Sequence, residues 1–99
     1  MKERQLKIDQ PSQDRFVEVF AALASKTRLQ IVLMVSAGRL ACQEILDQLD
    51  LSQPAISYHL AKLERAGILV KERTGARNCY RLDDRVLGLV EILKGGRAE

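Results

Sequence analysis

The run LSQPAISYHLAKLERAG, residues 51 to 67, carries a helix together with the signals that start and stop it. Ser52 is a side-chain acceptor of the kind that caps a helix N-terminus, and Pro54 falls in the first turn, where its missing N–H would have had no helical partner. Gly67 is the stop. Projected at about 100° per residue, Ile56, Leu60 and Leu63 form a narrow apolar stripe that must face a core, while Tyr58, Lys62 and Arg65 point away from it. Gln53 and Ser57 stand at the margin, close to the helix start.

Upstream of this helix, the spacing of Glu44, Ile45, Leu46 and Leu49 predicts a shorter one of about two turns, broken at Asp50 and Leu51. Two short helices joined by a tight turn, the second opened by a serine cap, have the order and length of a helix-turn-helix. Downstream, Ile68 to Arg73 and Asn78 to Leu82 read as two strands around a turn at Thr74 to Arg77, a hairpin with a basic tip. Phe16, Val19, Phe20 and Leu23 predict a first helix over Ser12 to Ala24, with Pro11 and Ser12 as punctuation before it. Ser25 caps a second helix that runs through Leu29, Ile31, Val32, Leu33 and Val35 to Gly38 and is apolar on most sides, so it is expected to be central. Leu40 starts a short extended piece, and Val86, Leu87, Leu89, Val90 and Leu93 predict a last helix over Leu82 to Lys94, stopped by Gly95 and Gly96. The elements read in this way make a mainly α chain of five helices with a two-stranded β-hairpin. We expect residues 12–96 to be a single domain and residues 1–11 to be a flexible N-terminal arm.

Composition narrows the function. Ninety-nine residues, 46% of them hydrophobic, suit one core. A domain of this size buries only about 60 to 70% of its unfolded surface, so a second subunit covering more apolar area is expected, and we expect a homodimer. No apolar run is long enough to cross a bilayer and the start MKERQLKIDQ is charged, which predicts a cytoplasmic protein without a membrane segment. The net charge of +3 is unevenly spread: residues 52–81 hold six basic side chains against two acidic ones, a local balance of +4. That third of the chain attracts a polyanion.

The major groove of B-DNA admits one α-helix, whose N-terminal residues approach the base edges. Ser52, Gln53, Ser57 and Tyr58 are the candidates for that contact, with the glutamine amide suited to adenine and the hydroxyls able to reach base or phosphate. Lys62 and Arg65 on the helix, with Arg73 and Arg77 beside the hairpin turn, are the candidate phosphate contacts. His59 borders the apolar stripe and has two readings, orientation of the helix by hydrogen bonding or contact with a base. The partner expected is double-stranded DNA. The competing class is a protein-interaction module on the same fold, which retention on heparin or random duplex would distinguish. An enzyme is not expected: there is no phosphate loop, metal cluster or Ser-His-Asp arrangement.

The stretch LSQPAISYHLAKLERAGILVKERTGARNCYRLD, residues 51–83, and within it the Ser-Gln-Pro-x-Ile-Ser-x-His-Leu run of residues 52–60, resembles the ArsR/SmtB family of bacterial winged-helix repressors. The segment ALASKTRLQIVLMV, residues 22–35, is similar to that family's entry segment, and the likeness runs from Phe16 to about Leu93. The resemblance implies a mainly α, α+β winged helix of five helices with a two-stranded β-hairpin wing, in which residues 12–96 are the DNA-binding and dimerisation domain, a symmetric homodimer built largely from the first and last helices, and repression by operator occupancy.

The chain departs from the family's metal sensors. Where a Cys-x-Cys pair would stand before the recognition helix it has Ala41 and Gln43 with Cys42 between them, and Asp84 is followed by Arg85 and Val86 in place of histidines. No metal or other cofactor is expected. Cys42 and Cys79 are candidates for redox or thiol sensing, and equally for small buried hydrophobes. Any effector is expected to be a small molecule or an oxidant.

Overall fold

The computed structural model describes residues 9–95. Helix α1 (Gln10–Leu23) is opened by Asp9, whose carboxylate accepts the Ser12 backbone N–H at 3.2 Å. It begins two residues before the expected start: Pro11 is not punctuation but sits inside the first turn, where a missing donor costs nothing. Gln10 and Pro11 therefore belong to the helix rather than to an arm, and residues 1–8 of that expected arm lie outside the described residues. Helix α2 (Lys26–Ser36) starts on Ser25, whose Oγ accepts the Arg28 N–H at 3.2 Å. It is central on one side only. Ile31, Val32 and Val35 are buried, whereas Leu29 and Leu33 are exposed.

Strand β1 (Leu40–Ala41) leads without a linker into α3 (Cys42–Gln48), and Glu44 reaches back to accept the Ala41 N–H at 2.7 Å. Helix α4 (Gln53–Arg65) begins on Ser52, whose Oγ accepts the Ala55 N–H at 3.3 Å. At its end the Ile68 N–H donates to the Leu63 carbonyl and the Gly67 N–H to that of Glu64, with Gly67 at φ +79°. This is a Schellman stop, in which Gly67 takes the left-handed conformation and Ile68 packs back beside Leu63.

Strands β2 (Leu69–Thr74) and β3 (Arg77–Leu82) pair antiparallel from Leu69 opposite Leu82 to Thr74 opposite Arg77. Their two-residue turn has positive φ at Gly75 and not at Ala76, the pattern of a II′ turn that suits the twist of a hairpin. The sheet has three strands rather than the expected two, in the order β1-β3-β2, because Leu40 and Ala41 pair with Tyr80 and Cys79. Helix α5 (Asp84–Leu93), capped by Asp83, returns along α2.

Ile31, Val32, Ile45, Ile56, Leu60, Leu63, Ile68 and Leu69 are fully buried and join all the central elements in one core. Burying each such side chain contributes about 1.5–3 kcal/mol against an exposed reference. The apolar faces of α1 and α5 are a different case: Phe16, Val17, Phe20, Ile92 and Leu93 are all more than half exposed. Among the described residues no single helix is long and apolar enough to cross a membrane.

Candidate DNA-binding interface

Three inward residues orient α4. Ile56, Leu60 and Leu63 have at most 2% of their surface exposed, which pins the helix by one stripe and turns Gln53, Ser57, Tyr58 and Arg65 outward. Ser52 is exposed as well, but its Oγ lone pair is engaged at the cap, leaving its hydroxyl hydrogen for a partner outside the protein. Tyr58 is 56% exposed, and the Lys62 ammonium lies 5.5 Å from the centre of its ring, a cation–π distance that holds both side chains on one patch. Lys62 is thereby half-buried, unlike Arg65.

His59 does not share this face. Its ring is half-buried, with Nδ1 3.2 Å from the Arg28 guanidinium and the ring edge-on to Tyr58 at 5.3 Å. Burial first, and the Arg28 charge second, hold its pKa below the ordinary histidine value. Its Nδ1 is thus engaged from within the protein, by a residue of α2. Arg28 was not among the residues singled out from sequence. Nothing local marks it, because its partner is 31 positions away.

The wing sorts its charges. Glu72 on β2 accepts from Arg81 at 2.7 Å and from Arg39, in the turn before β1, at 3.2 Å. Those two hydrogen bonds, Arg81's the larger, hold the Glu72 carboxyl below the ordinary glutamate range. Arg81 also stands 3.9 Å from Asp84, and Lys71 lies 3.9 Å from Glu64. Lys62, Arg65, Arg73 and Arg77 have no carboxylate within 4.0 Å among the described residues. Arg73 folds over the turn to donate to the Gly75 carbonyl at 3.3 Å, and Arg77 is exposed beside it. The six cations of the basic third thus divide into two that are neutralised within the protein and four left for an external anion.

Both cysteines are free thiols, and Cys42 directly follows Ala41, the residue that lies opposite Cys79 in the sheet. Cys79 alternates with Tyr80 along β3, so they face opposite sides of the sheet. Cys42, half-buried at the start of α3, packs on the core that contains Tyr80, and its charge is one of the influences that raise the Tyr80 pKa, after burial. Among the described residues no group of three or more His, Cys, Asp or Glu side chains is placed to hold a metal ion. Gln43, at one of the vacant sensor positions, donates to Asp47 at 2.9 Å.

Comparison with known proteins gives a consistent result. Residues 23–72 match a helix-turn-helix domain family. The chain is 44% identical over 79 residues to an arsenic resistance transcriptional regulator of Pseudomonas putida, covering 78% of this chain and 62% of that protein. It is 39% identical over 75 residues to the transcriptional repressor SmtB of Mycobacterium tuberculosis, covering 76% and 56%. The chain therefore spans about three fifths of the length of these relatives. In structure it is similar to the homodimeric winged helix-turn-helix DNA-binding domain of a possible ArsR-family regulator from Mycobacterium bovis, with a TM-score of 0.76, 26% identity, and coverage of 90% of this chain and 88% of that one. By sequence, by fold and by the helix it turns outward, the chain belongs to the ArsR/SmtB family of winged helix-turn-helix transcriptional regulators, which are not enzymes.

Proposed function

We propose that the protein is a sequence-specific transcriptional repressor that binds an inverted-repeat operator in double-stranded DNA as a homodimer, with occupancy adjusted by an effector. The observation that carries this reading is the outward face of α4, where Ser52, Gln53, Ser57 and Tyr58 stand exposed at the N-terminal half, beside four cations that have no carboxylate within 4.0 Å among the described residues. Gln53, Ser57 and Tyr58 read base edges, and Lys62, Arg65, Arg73 and Arg77 hold phosphates. His59 acts from behind this surface. Dimerisation covers Phe16, Phe20, Ile92 and Leu93, an apolar exposure uncommon on a monomer and matched by the homodimeric state of the Mycobacterium bovis relative.

A two-fold dimer presents its recognition helices to successive major-groove faces about 34–36 Å apart. Selection of bound duplex from a random library tests the reading. The expected result is enrichment of a palindromic site with half-sites one helical turn apart, and recovery of unenriched sequence rejects it. The effector is sought in the same assay, with thiol oxidants tested on the wild type and on the Cys42→Ala/Cys79→Ala variant. Equal release of DNA from both removes the cysteines from any sensing role.

A further inference from the structure

Arg28 has three attachments. Its backbone N–H donates to Ser25 Oγ at 3.2 Å, its Nε to the Ala22 carbonyl at 2.6 Å, and its terminal nitrogen lies 3.2 Å from His59 Nδ1. Ala22 is in the last turn of α1, so its carbonyl is one that the helix leaves without a donor. One side chain therefore joins the end of α1, the start of α2 and the middle of α4. A guanidinium can only donate, so His59 Nδ1 must accept, and the imidazole is neutral with its hydrogen on Nε2.

We propose that Arg28 is a positioning residue for DNA binding: it clamps the recognition helix to the C-terminal end of α1 through the neutral His59 ring, so that the helix bearing the dimer face sets where α4 stands. This rests on the DNA-binding reading above. The groups around the clamp are Arg28 from α2, Tyr58 and Lys62 from α4, and Glu18 from α1, which lines the adjoining cleft together with Lys62 and Arg65. Acid places a proton on Nδ1, which removes the acceptor and sets two cations facing each other. The clamp is intact above the pKa of His59 and released as pH falls through it.

The test uses the full chain and the duplex recovered by selection, at low and moderate salt, with wild type, His59→Asn, His59→Leu, Arg28→Met and the double variant Arg28→Met/His59→Leu. An asparagine amide oxygen takes the place of Nδ1 and does not titrate. Wild-type affinity should fall as pH is lowered from about 8 through the depressed His59 value, approaching about a tenfold loss, equivalent to about 1.4 kcal/mol, once the ring is fully protonated. His59→Asn should match wild type at the upper pH and stay flat. His59→Leu and Arg28→Met should each bind about tenfold more weakly at the upper pH, in keeping with loss of one hydrogen bond to a charged group, and the double variant should be no weaker than either. A wild-type pH profile in His59→Asn, or wild-type affinity in Arg28→Met, overturns the proposal. So does tighter binding in acid that fades with salt, the mark of an imidazolium on a phosphate. Imidazole nitrogen shifts of the protein without DNA should report the Nε2–H tautomer, and Nδ1–H overturns the clamp directly. A wild type with the Nε2–H tautomer that binds no duplex keeps the clamp and refutes its role together with the DNA reading.

Discussion

Replacing both wing arginines, Arg73→Ala with Arg77→Ala, should change the salt dependence of DNA binding by an amount set by the ion-pair pattern. Lys62, Arg65, Arg73 and Arg77 lack internal carboxylate partners among the described residues, four side chains per protomer. A two-fold dimer then engages about eight phosphates, and at about 0.9 per phosphate the slope of log affinity against log salt is roughly −7. Between 50 and 200 mM salt that slope corresponds to a loss of about 10⁴ in affinity, whereas the double variant, with about four contacts left, should have a slope near −3.6 and lose only about a hundredfold. Fluorescence anisotropy on labelled duplex at several salt concentrations measures both. Arg81→Gln is the control, because Arg81 has the same formal charge and nearly the same place in sequence but is tied to Glu72 at 2.7 Å. Its slope should stay close to that of wild type. An unchanged slope in the wing variant, or an equal drop in Arg81→Gln, refutes the division of the basic third into internal and external cations.

Three further outcomes follow from the packing and the charges. Leu63→Ala empties a fully buried position on α4 and should cost about 2–5 kcal/mol, enough to lower the melting temperature by at least about 8 °C in a domain this size; a shift under about 2 °C would mean the stripe is not anchored. Phe16→Glu with Phe20→Glu, at positions 63% and 58% exposed, should leave helicity intact in circular dichroism and convert the dimer to monomer in sedimentation equilibrium; an unchanged mass removes α1 from the dimer face. Glu72 has its carboxyl pKa depressed by Arg81 and Arg39, so its contribution to stability is present above the ordinary glutamate pKa and lost as pH falls through the depressed value. Glu72→Gln should therefore reduce the acid sensitivity of unfolding in that window, and identical acid profiles would show that the triad adds nothing.

The features legible in the sequence were those whose signals are local. Ser52, Pro54 and Gly67 bound α4 within its own residues, and Ile56, Leu60 and Leu63 fix its orientation by period alone. The hairpin was equally plain from Gly75 and the flanking strands. Strand β1 was hidden as a sheet member because two residues have no periodicity and their partners, Tyr80 and Cys79, lie far along the chain. The start of α1 was misplaced because Pro11 reads equally well as a break or as a first-turn residue, and Asp9 decides between them. On α4, the outward placement of Tyr58 and Arg65 was legible from geometry on a helical wheel. Arg28 was missed because its role exists only when α1, α2 and α4 meet, and the pairing of Arg81 and Lys71 was invisible because a charge count treats every cation alike.

Ala41 is at once the end of β1 and the N-cap of α3, and it lies opposite Cys79 in the strand that also forms the wing. A wing that tilts must carry α3 with it, and α4 follows through the shared core. In the proposed dimer the wing and α3 of each protomer then move as one unit, with α4 held to it by the core and by the Arg28 clamp, and the widest freedom that remains is the separation and twist between the two protomers across the dimer axis. An inducer working within that freedom alters the fit to a pair of half-sites and not to either one alone. A regulator built this way should release its full operator on induction while its weak grip on an isolated half-site stays as it was.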